Sequence, residues 1–96
     1  MAKRKPTRSE RDYMGRVADL GCCICHRPAE VHHVRAGMLA AGMRPSHYDV
    51  IPLCPDHHRN GGPGVAVHMG RKSWAENYGA ESDFLQAVKL ALNCHE

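Results

Sequence analysis

The stretch PLCPDHHRN, from Pro52 to Asn60, carries a cysteine followed three residues later by two adjacent histidines. A histidine at that distance from a cysteine has the spacing of a zinc knuckle, in which one tight turn supplies two ligands. Upstream, Cys22 and Cys25 repeat the spacing as a Cys-x-x-Cys pair. Zinc prefers four such ligands in a tetrahedron. The two pairs therefore predict a structural Zn²⁺ site with the ligands Cys22, Cys25, Cys54 and His57.

One alternative to this ligand set stays open, because Cys23 competes with Cys22. The two-residue spacing between Cys22 and Cys25 suits a knuckle better than the single residue that separates Cys23 from Cys25. Cys23 is then expected to be a small buried hydrophobic residue. Cys94, in the last predicted helix, is interpreted as a packing residue.

Length and composition set the class of protein. Ninety-six residues with a formal net charge of +3 indicate one small domain, and we expect a basic disordered arm at 1–8 followed by a single domain at 9–96. Basic arms of this kind often contact nucleic-acid phosphates. The charged N-terminus lacks the apolar region of a secretory signal and no long apolar run follows, so a cytoplasmic protein without a membrane partner is expected. Cysteines in that compartment are metal ligands or thiols rather than disulfides.

The pattern of elements predicts an α+β domain. A helix is expected from the N-cap Ser9, with Tyr13, Met14, Val17 and Leu20 on one face and Gly21 as its stop. Two short strands follow, one around EVHHV and one around YDVIPLC, and PDHHRN opens a helix that GGPG soon ends. A further helix is expected in RKSWAENY up to Gly79. The last begins after Ser82 and carries an apolar stripe: Phe84, Leu85, Val88, Ala91 and Leu92. Trp74 and Tyr78 are interpreted as core residues.

Three histidines remain once the zinc ligands are assigned. His32 and His33 are neighbours on a predicted strand, so their side chains point to opposite faces. His58 directly follows a zinc ligand on a helical turn, which would hold it at a fixed distance from that strand. A purely structural zinc module has no use for adjacent imidazoles beside a complete site.

The segments EVHHVR, YDVIPLC and CPDHHR together resemble the HNH nuclease motif, also called the ββα-metal element. The resemblance covers a motif core at about 22–78. The longer stretches GMRPSHYDVIPLCPDHHRN and GPGVAVHMGRKSWAENYG are similar to the HNH domain of Ref-like, phage-type recombination-enhancing nucleases. The resemblance implies a small zinc-stapled ββα-metal domain, HNH or treble-clef-like, with flanking N- and C-terminal helices.

Roles for individual residues follow from this resemblance. His32 and His58 match the ligands of a catalytic divalent metal, Mg²⁺ or Mn²⁺, and His33 matches the general base. A near-neutral pKa suits a histidine to that task. Asp49 stands where the motif has an asparagine; it would hydrogen-bond the backbone, hold the base, or face solvent. His68 is a third candidate for the metal, or a phosphate contact.

The resemblance and the charges together imply a DNA substrate. The candidates for DNA contact lie near the motif and are Arg35, Arg44, His47, Arg59, Arg71 and Lys72. The function indicated is a metal-dependent HNH endonuclease that hydrolyses DNA phosphodiester bonds, with a recombinase filament as a partner implied by the Ref-like family alone. The alternatives are a non-catalytic zinc-binding module that recognises DNA or a protein, and a nuclease acting on RNA.

Overall fold

The computed structural model describes residues 5–34 and 47–93 of the chain. Arg35 and Arg44 lie outside the described residues, as do Cys94 and His95. The elements are helix α1 (Arg8–Asp19), strand β1 (Glu30–His33), strand β2 (Val50–Leu53), a π-helical turn (Asp56–Asn60), a 3-10 turn (Val67–Met69), helix α2 (Arg71–Tyr78) and helix α3 (Glu81–Asn93). The chain is thus a small α+β protein, as predicted. Among the described residues, no helix combines the length and apolar character needed to cross a bilayer.

The two strands form an antiparallel pair at the centre of the fold. His32 lies opposite Ile51 and His33 opposite Val50, and the ladder continues beyond the strand where the Val34 amide donates to the Asp49 carbonyl over 2.8 Å. Every residue of β2 is buried. Helices α1 and α3 both pack on β2. This short strand is therefore at the centre of the contact between the helices and the sheet.

The core is built from aliphatic side chains of the strands and helices around one large aromatic ring. Trp74 is fully buried, and its ring centroid lies 5.4 Å from that of Tyr78 and 5.6 Å from that of Phe84. The interpretation of Trp74 as a core residue is therefore confirmed, and Tyr78 packs, partly buried, against the same core. From α3, the buried apolar residues are Leu85, Val88 and Leu92. Ala91 was wrongly placed in the stripe, since its position on the helix faces outward.

The start of α1 differs from the prediction. Thr7, not Ser9, is the N-cap: its Oγ1 accepts from the Glu10 amide at 3.1 Å, and its own amide donates to Glu10 Oε1 at 2.7 Å. This reciprocal capping box satisfies two donors that a helix end leaves open. Ser9 lies inside the helix and is exposed. Similarly, α3 begins at Glu81, one residue before the predicted cap Ser82.

The end of α1 follows the prediction. Gly21 adopts a φ of +82° and its amide donates to the Ala18 carbonyl, the left-handed conformation that glycine tolerates best. A Cβ there would approach the His26 carbonyl oxygen to 3.0 Å. The chain can therefore turn directly from the helix into the cysteine-rich segment. Leu20, predicted on the buried face, is instead the C-cap residue and is 44% exposed.

The capping box gives a direct test of where α1 begins. Thr7→Ala removes the side-chain acceptor for the Glu10 amide and should lower the free energy of unfolding by about 1 kcal/mol. Ser9→Ala is the matched control and should change it by less than about 0.5 kcal/mol. Urea denaturation at a fixed zinc concentration measures both. Equal losses in the two variants would contradict the assignment of Thr7.

Candidate metal centre

Two knuckles bring three cysteines and one histidine together at one end of the sheet. The ligand atoms of Cys22, Cys25, Cys54 and His57 all lie within 4.8 Å of one another. Cys25 Sγ is 3.6 Å from Cys54 Sγ, and His57 Nδ1 is 3.2 Å from Cys54 Sγ and 3.7 Å from Cys22 Sγ. A tetrahedral zinc with Zn–S bonds of about 2.3 Å would place its sulfur ligands ~3.8 Å apart. The measured spacings therefore fit a four-coordinate zinc.

The environment of Cys22 also suits a metal-bound thiolate. Burial of Cys22 disfavours its charged form, but backbone amides around the sulfur outweigh this effect and lower the pKa of the thiol. One of them is the amide of Ile24, 3.4 Å from Cys22 Sγ. For Cys54, burial prevails and raises the pKa, although the His57 amide acts in the opposite direction. A thiol must lose its proton to bind zinc, so the backbone amides prepare Cys22 for that role.

The alternative ligand Cys23 has a different environment. Burial, followed by the neighbouring Cys22, raises the pKa of Cys23 to about 12. Its side chain packs, partly buried, against the core, and its backbone amide donates to the Pro52 carbonyl at 3.0 Å. A thiol that stays protonated is a poor metal ligand. The geometry and the pKa both favour Cys22 over Cys23.

Three histidines form a second cluster beside the first. His32, His58 and His68 each offer a ring nitrogen, and these atoms lie within 4.8 Å of one another. Their ring centroids are 5.1, 5.0 and 4.6 Å apart, and the Nε2 atoms of His58 and His68 approach to 2.9 Å. Two nitrogens bound at about 2.1 Å to neighbouring positions of one octahedral ion would be ~3.0 Å apart. The cluster can hold a divalent cation.

The local backbone explains how adjacent histidines reach different clusters. His57 and His58 lie on the π-helical turn, where successive side chains diverge, so one faces the cysteines and the other faces His32. This turn ends at Gly61, whose amide donates to the Asp56 carbonyl at 2.9 Å. A Cβ at Gly61 would lie 2.5 Å from that carbonyl oxygen and from Val65. This glycine is therefore required by packing within the turn.

Carboxylates that sequence reasoning missed lie behind two of the three rings. His32 Nε2 donates to Glu81 Oε1 at 2.7 Å, and both residues are buried. His58 Nδ1 likewise contacts Glu30 Oε2. An ionised carboxylate only accepts, so each contacting nitrogen carries a proton, and in a neutral ring the lone pair is then on the other nitrogen. No spacing rule links Glu81 to His32, which are 49 positions apart. Glu30 lies two residues before His32 on β1. Side chains two positions apart on a strand point to the same face, and this alternation was the signal in the sequence that could have identified Glu30.

Each carboxylate also accepts from an arginine. Arg59 Nη2 lies 3.1 Å from Glu30 Oε1, and Arg71 Nε lies 2.8 Å from Glu81 Oε2. The hydrogen bond from His58 is the main cause that lowers the pKa of Glu30. Burial alone would raise the pKa of Glu81, but the hydrogen bonds from His32 and Arg71 outweigh it and lower that pKa.

His68 is the exposed member of the histidine cluster. Partial burial is the largest cause that lowers the pKa of His68, and the neighbouring His58 and His32 act in the same direction. A lowered pKa keeps the imidazole neutral near pH 7. Only the neutral ring has a lone pair for a metal ion, so the electrostatics of the cluster suit metal binding.

His33, the predicted base, lies beside this cluster rather than in it. As expected for neighbours on a strand, His32 and His33 face different surroundings: His32 is buried, whereas His33 is half-buried. His33 Nε2 lies 3.0 Å from Nδ1 of His47. His47, predicted to contact DNA, is thus brought against the predicted base.

Asp49 contacts the helix that packs on the sheet. Its Oδ1 accepts from Lys89 Nζ on α3 at 2.8 Å, and its carbonyl accepts from the Val34 amide. The backbone contact lies next to His33 in the chain. The options that the sequence left open all concerned the Asp49 side chain, and the contact found for this side chain is the ion pair with Lys89.

Two of the described basic candidates contact the carboxylates that bind the histidine cluster. Arg59 and Arg71 keep side-chain exposures of 60% and 50% while they contact Glu30 and Glu81. Lys72 is exposed on the first turn of α2. Arg35 and Arg44 lie outside the described residues. Positive side chains at the rim of a metal site suit an anionic substrate.

Comparison with known proteins identifies the family. A family model described as "Recombination enhancement, RecA-dependent nuclease" matches residues 6–92. The chain belongs to this family. No curated protein and no solved structure shows significant similarity to it. Membership of the RecA-dependent nuclease family makes nuclease activity the first function to test for this protein.

The zinc site proposed for the cysteine cluster can be tested by removing one of its ligands. Cys54→Ala should lose its zinc and the cooperative unfolding transition, because a structural zinc contributes on the order of 10 kcal/mol to folding. Cys23→Ala, one residue from Cys22, is the matched control and should keep one zinc per chain. Elemental analysis and thermal unfolding followed by circular dichroism measure both properties. A Cys54→Ala protein with full zinc and a normal transition would contradict the ligand set.

Proposed function

We propose that this protein is a metal-dependent endonuclease of the HNH type that hydrolyses phosphodiester bonds in DNA. The observation that carries the proposal is the convergence of His32, His58 and His68, whose ring nitrogens lie within 4.8 Å of one another. The order of β1, β2 and the helical turn that bears His58 supports the ββα-metal interpretation. Membership of a nuclease family supports the reaction class.

The cysteine cluster would hold a structural zinc. Cys22, Cys25, Cys54 and His57 supply four donors, which complete a tetrahedral sphere and leave no position for substrate. Its role is to fix the segment before β1 against the turn after β2. His57 thus serves the fold, and the next residue, His58, serves the chemistry.

The histidine cluster would hold the catalytic cation. His32, His58 and His68 would bind Mg²⁺ or Mn²⁺, and three imidazole donors favour Mn²⁺ because Mg²⁺ takes mainly oxygen ligands. Such an ion supplies Lewis-acid stabilisation of the charge that develops on the scissile phosphate. The surrounding protein contributes the orientation of the rings, through Glu30 and Glu81.

His33 would act as the general base. It is the next residue along β1 after His32, so the strand holds it at a fixed distance from the histidine cluster. It would take a proton from the attacking water, a step to which positioned bases contribute about 10²–10⁴-fold in rate. Its contact with His47 at 3.0 Å supports one orientation of the ring.

DNA would approach over the basic rim of the site. Arg59, Arg71 and Lys72 would contact phosphates, together with Arg35 and Arg44, and each such contact makes binding weaker as salt rises. His47 would contact the general base His33 rather than the DNA. The family description includes dependence on RecA, and we propose a recombinase filament as the partner that presents the DNA.

His33→Ala tests this function. The variant should lose about 10²–10⁴-fold in cleavage rate while it keeps its zinc content and thermal unfolding. The matched control is His26→Asn, which removes an exposed histidine with a φ of +66° and inserts a residue that tolerates this conformation. Plasmid cleavage is measured with Mg²⁺ or Mn²⁺ and with EDTA, each with and without a RecA filament on complementary DNA.

Three results would count against the proposal. Cleavage that persists in EDTA would contradict metal dependence, and normal cleavage by His33→Ala would remove this residue as the base. Absence of cleavage by the zinc-loaded wild type, with Mn²⁺ and with the filament present, would instead favour a zinc-binding recognition module.

A further inference from the structure

Glu81 is one of two glutamates in the described part of the chain, with Glu10, that are nearly inaccessible to solvent. Only 8% of the residue is exposed, although it begins α3 at the surface of a small protein. Burial of a carboxylate is costly unless its oxygens are hydrogen-bonded. Both oxygens of Glu81 are: Oε1 accepts from His32 and Oε2 from Arg71. The surroundings of Glu81 thus satisfy both oxygens of its buried carboxylate.

We propose that Glu81 is a positioning residue of the metal site, which orients the imidazole of His32 from the side opposite the cation. The inference rests on the proposed function for the identity of that site. His32 Nε2 donates to Glu81 over 2.7 Å, so the neutral ring keeps its lone pair on Nδ1. A carboxylate in this position fixes both the tautomer and the rotation of a metal-binding histidine.

Two observations separate this role from direct binding of the cation. Among the described residues, the group of mutually close ligand atoms at this site consists of three histidines and no carboxylate. In addition, the second oxygen of Glu81 is held by Arg71 at 2.8 Å, which fixes the rotation of the carboxylate. Glu81 therefore acts on the cation through His32.

A third observation separates it from an ordinary helix-end charge. A carboxylate in the first turn of a helix is stabilised by the positive end of the helix dipole, and this effect requires no burial. Asp83 occupies the same turn of α3 and is exposed. The dipole explains the acidic character of the turn, but it does not explain why Glu81 points inward to His32. Asp83 therefore serves as the matched control.

The test measures binding of Mn²⁺ to the full-length, zinc-loaded protein without DNA. Calorimetry gives the affinity, and electron paramagnetic resonance counts the unbound Mn²⁺. The wild type should bind one Mn²⁺ per chain, and His32→Ala should abolish that binding. Glu81→Gln keeps the size and an acceptor oxygen but loses the charge, and it should weaken binding about 10–100-fold. Asp83→Asn should bind like the wild type.

Cleavage at graded Mn²⁺ concentrations adds a measurement that a merely structural role would not affect. Glu81→Gln should be defective at low Mn²⁺ and should recover at high Mn²⁺, with unchanged zinc content and thermal unfolding. If the Mn²⁺ affinities follow the expected order but no variant cleaves DNA, the positioning role stands and the nuclease proposal fails.

Three results would overturn the inference. The first is wild-type affinity for Mn²⁺ in Glu81→Gln. The second is an equal loss of affinity in Asp83→Asn, which would indicate a general effect of helix charge. The third is a wild-type protein without His32-dependent Mn²⁺ binding.

Discussion

The close approach of Cys22, Cys25, Cys54 and His57 is the constraint on which the rest of the structure depends. The first pair precedes β1 and the second pair follows β2, so the contact closes the chain around the two strands. A two-stranded sheet of four residues per strand is marginal without further support. Helices α1 and α3, which pack on β2, supply part of that support, and a metal ion bound at this cluster would add to it.

The same constraint sets the position of the histidine cluster. His58 is joined to His57 by one peptide bond, and His32 lies on β1, the strand that follows the Cys22–Cys25 pair in the chain. Any movement of the cysteine cluster would therefore move His58 relative to His32. A site whose groups must be held to within fractions of an ångström gains from support by such a rigid neighbour. This arrangement explains why so small a protein places two clusters side by side.

The sequence predicts those features that local spacing controls. The two knuckles, the opposite orientations of His32 and His33, and the stop at Gly21 each follow from spacing or from a single residue's conformational preference. Thr7 rather than Ser9 caps α1 because Thr7 stands three residues before Glu10, which is the spacing of a capping box. Glu81 could not be predicted, because its contact with His32 exists only once α3 packs on the sheet. Asp49 was ambiguous for the same reason, since its partner Lys89 is also on α3.

The charges around the histidine cluster show how one site can accommodate both a cation and an anionic substrate. Glu30 and Glu81 each bridge one histidine of the cluster and one exposed arginine. The carboxylate favours positive charge at the cluster, while the arginine keeps the outer rim positive. Because each arginine is held by a carboxylate as well, its approach to a phosphate would be coupled to the orientation of the histidine behind it. Substrate contact at the rim and metal binding at the cluster would then depend on the same two carboxylates.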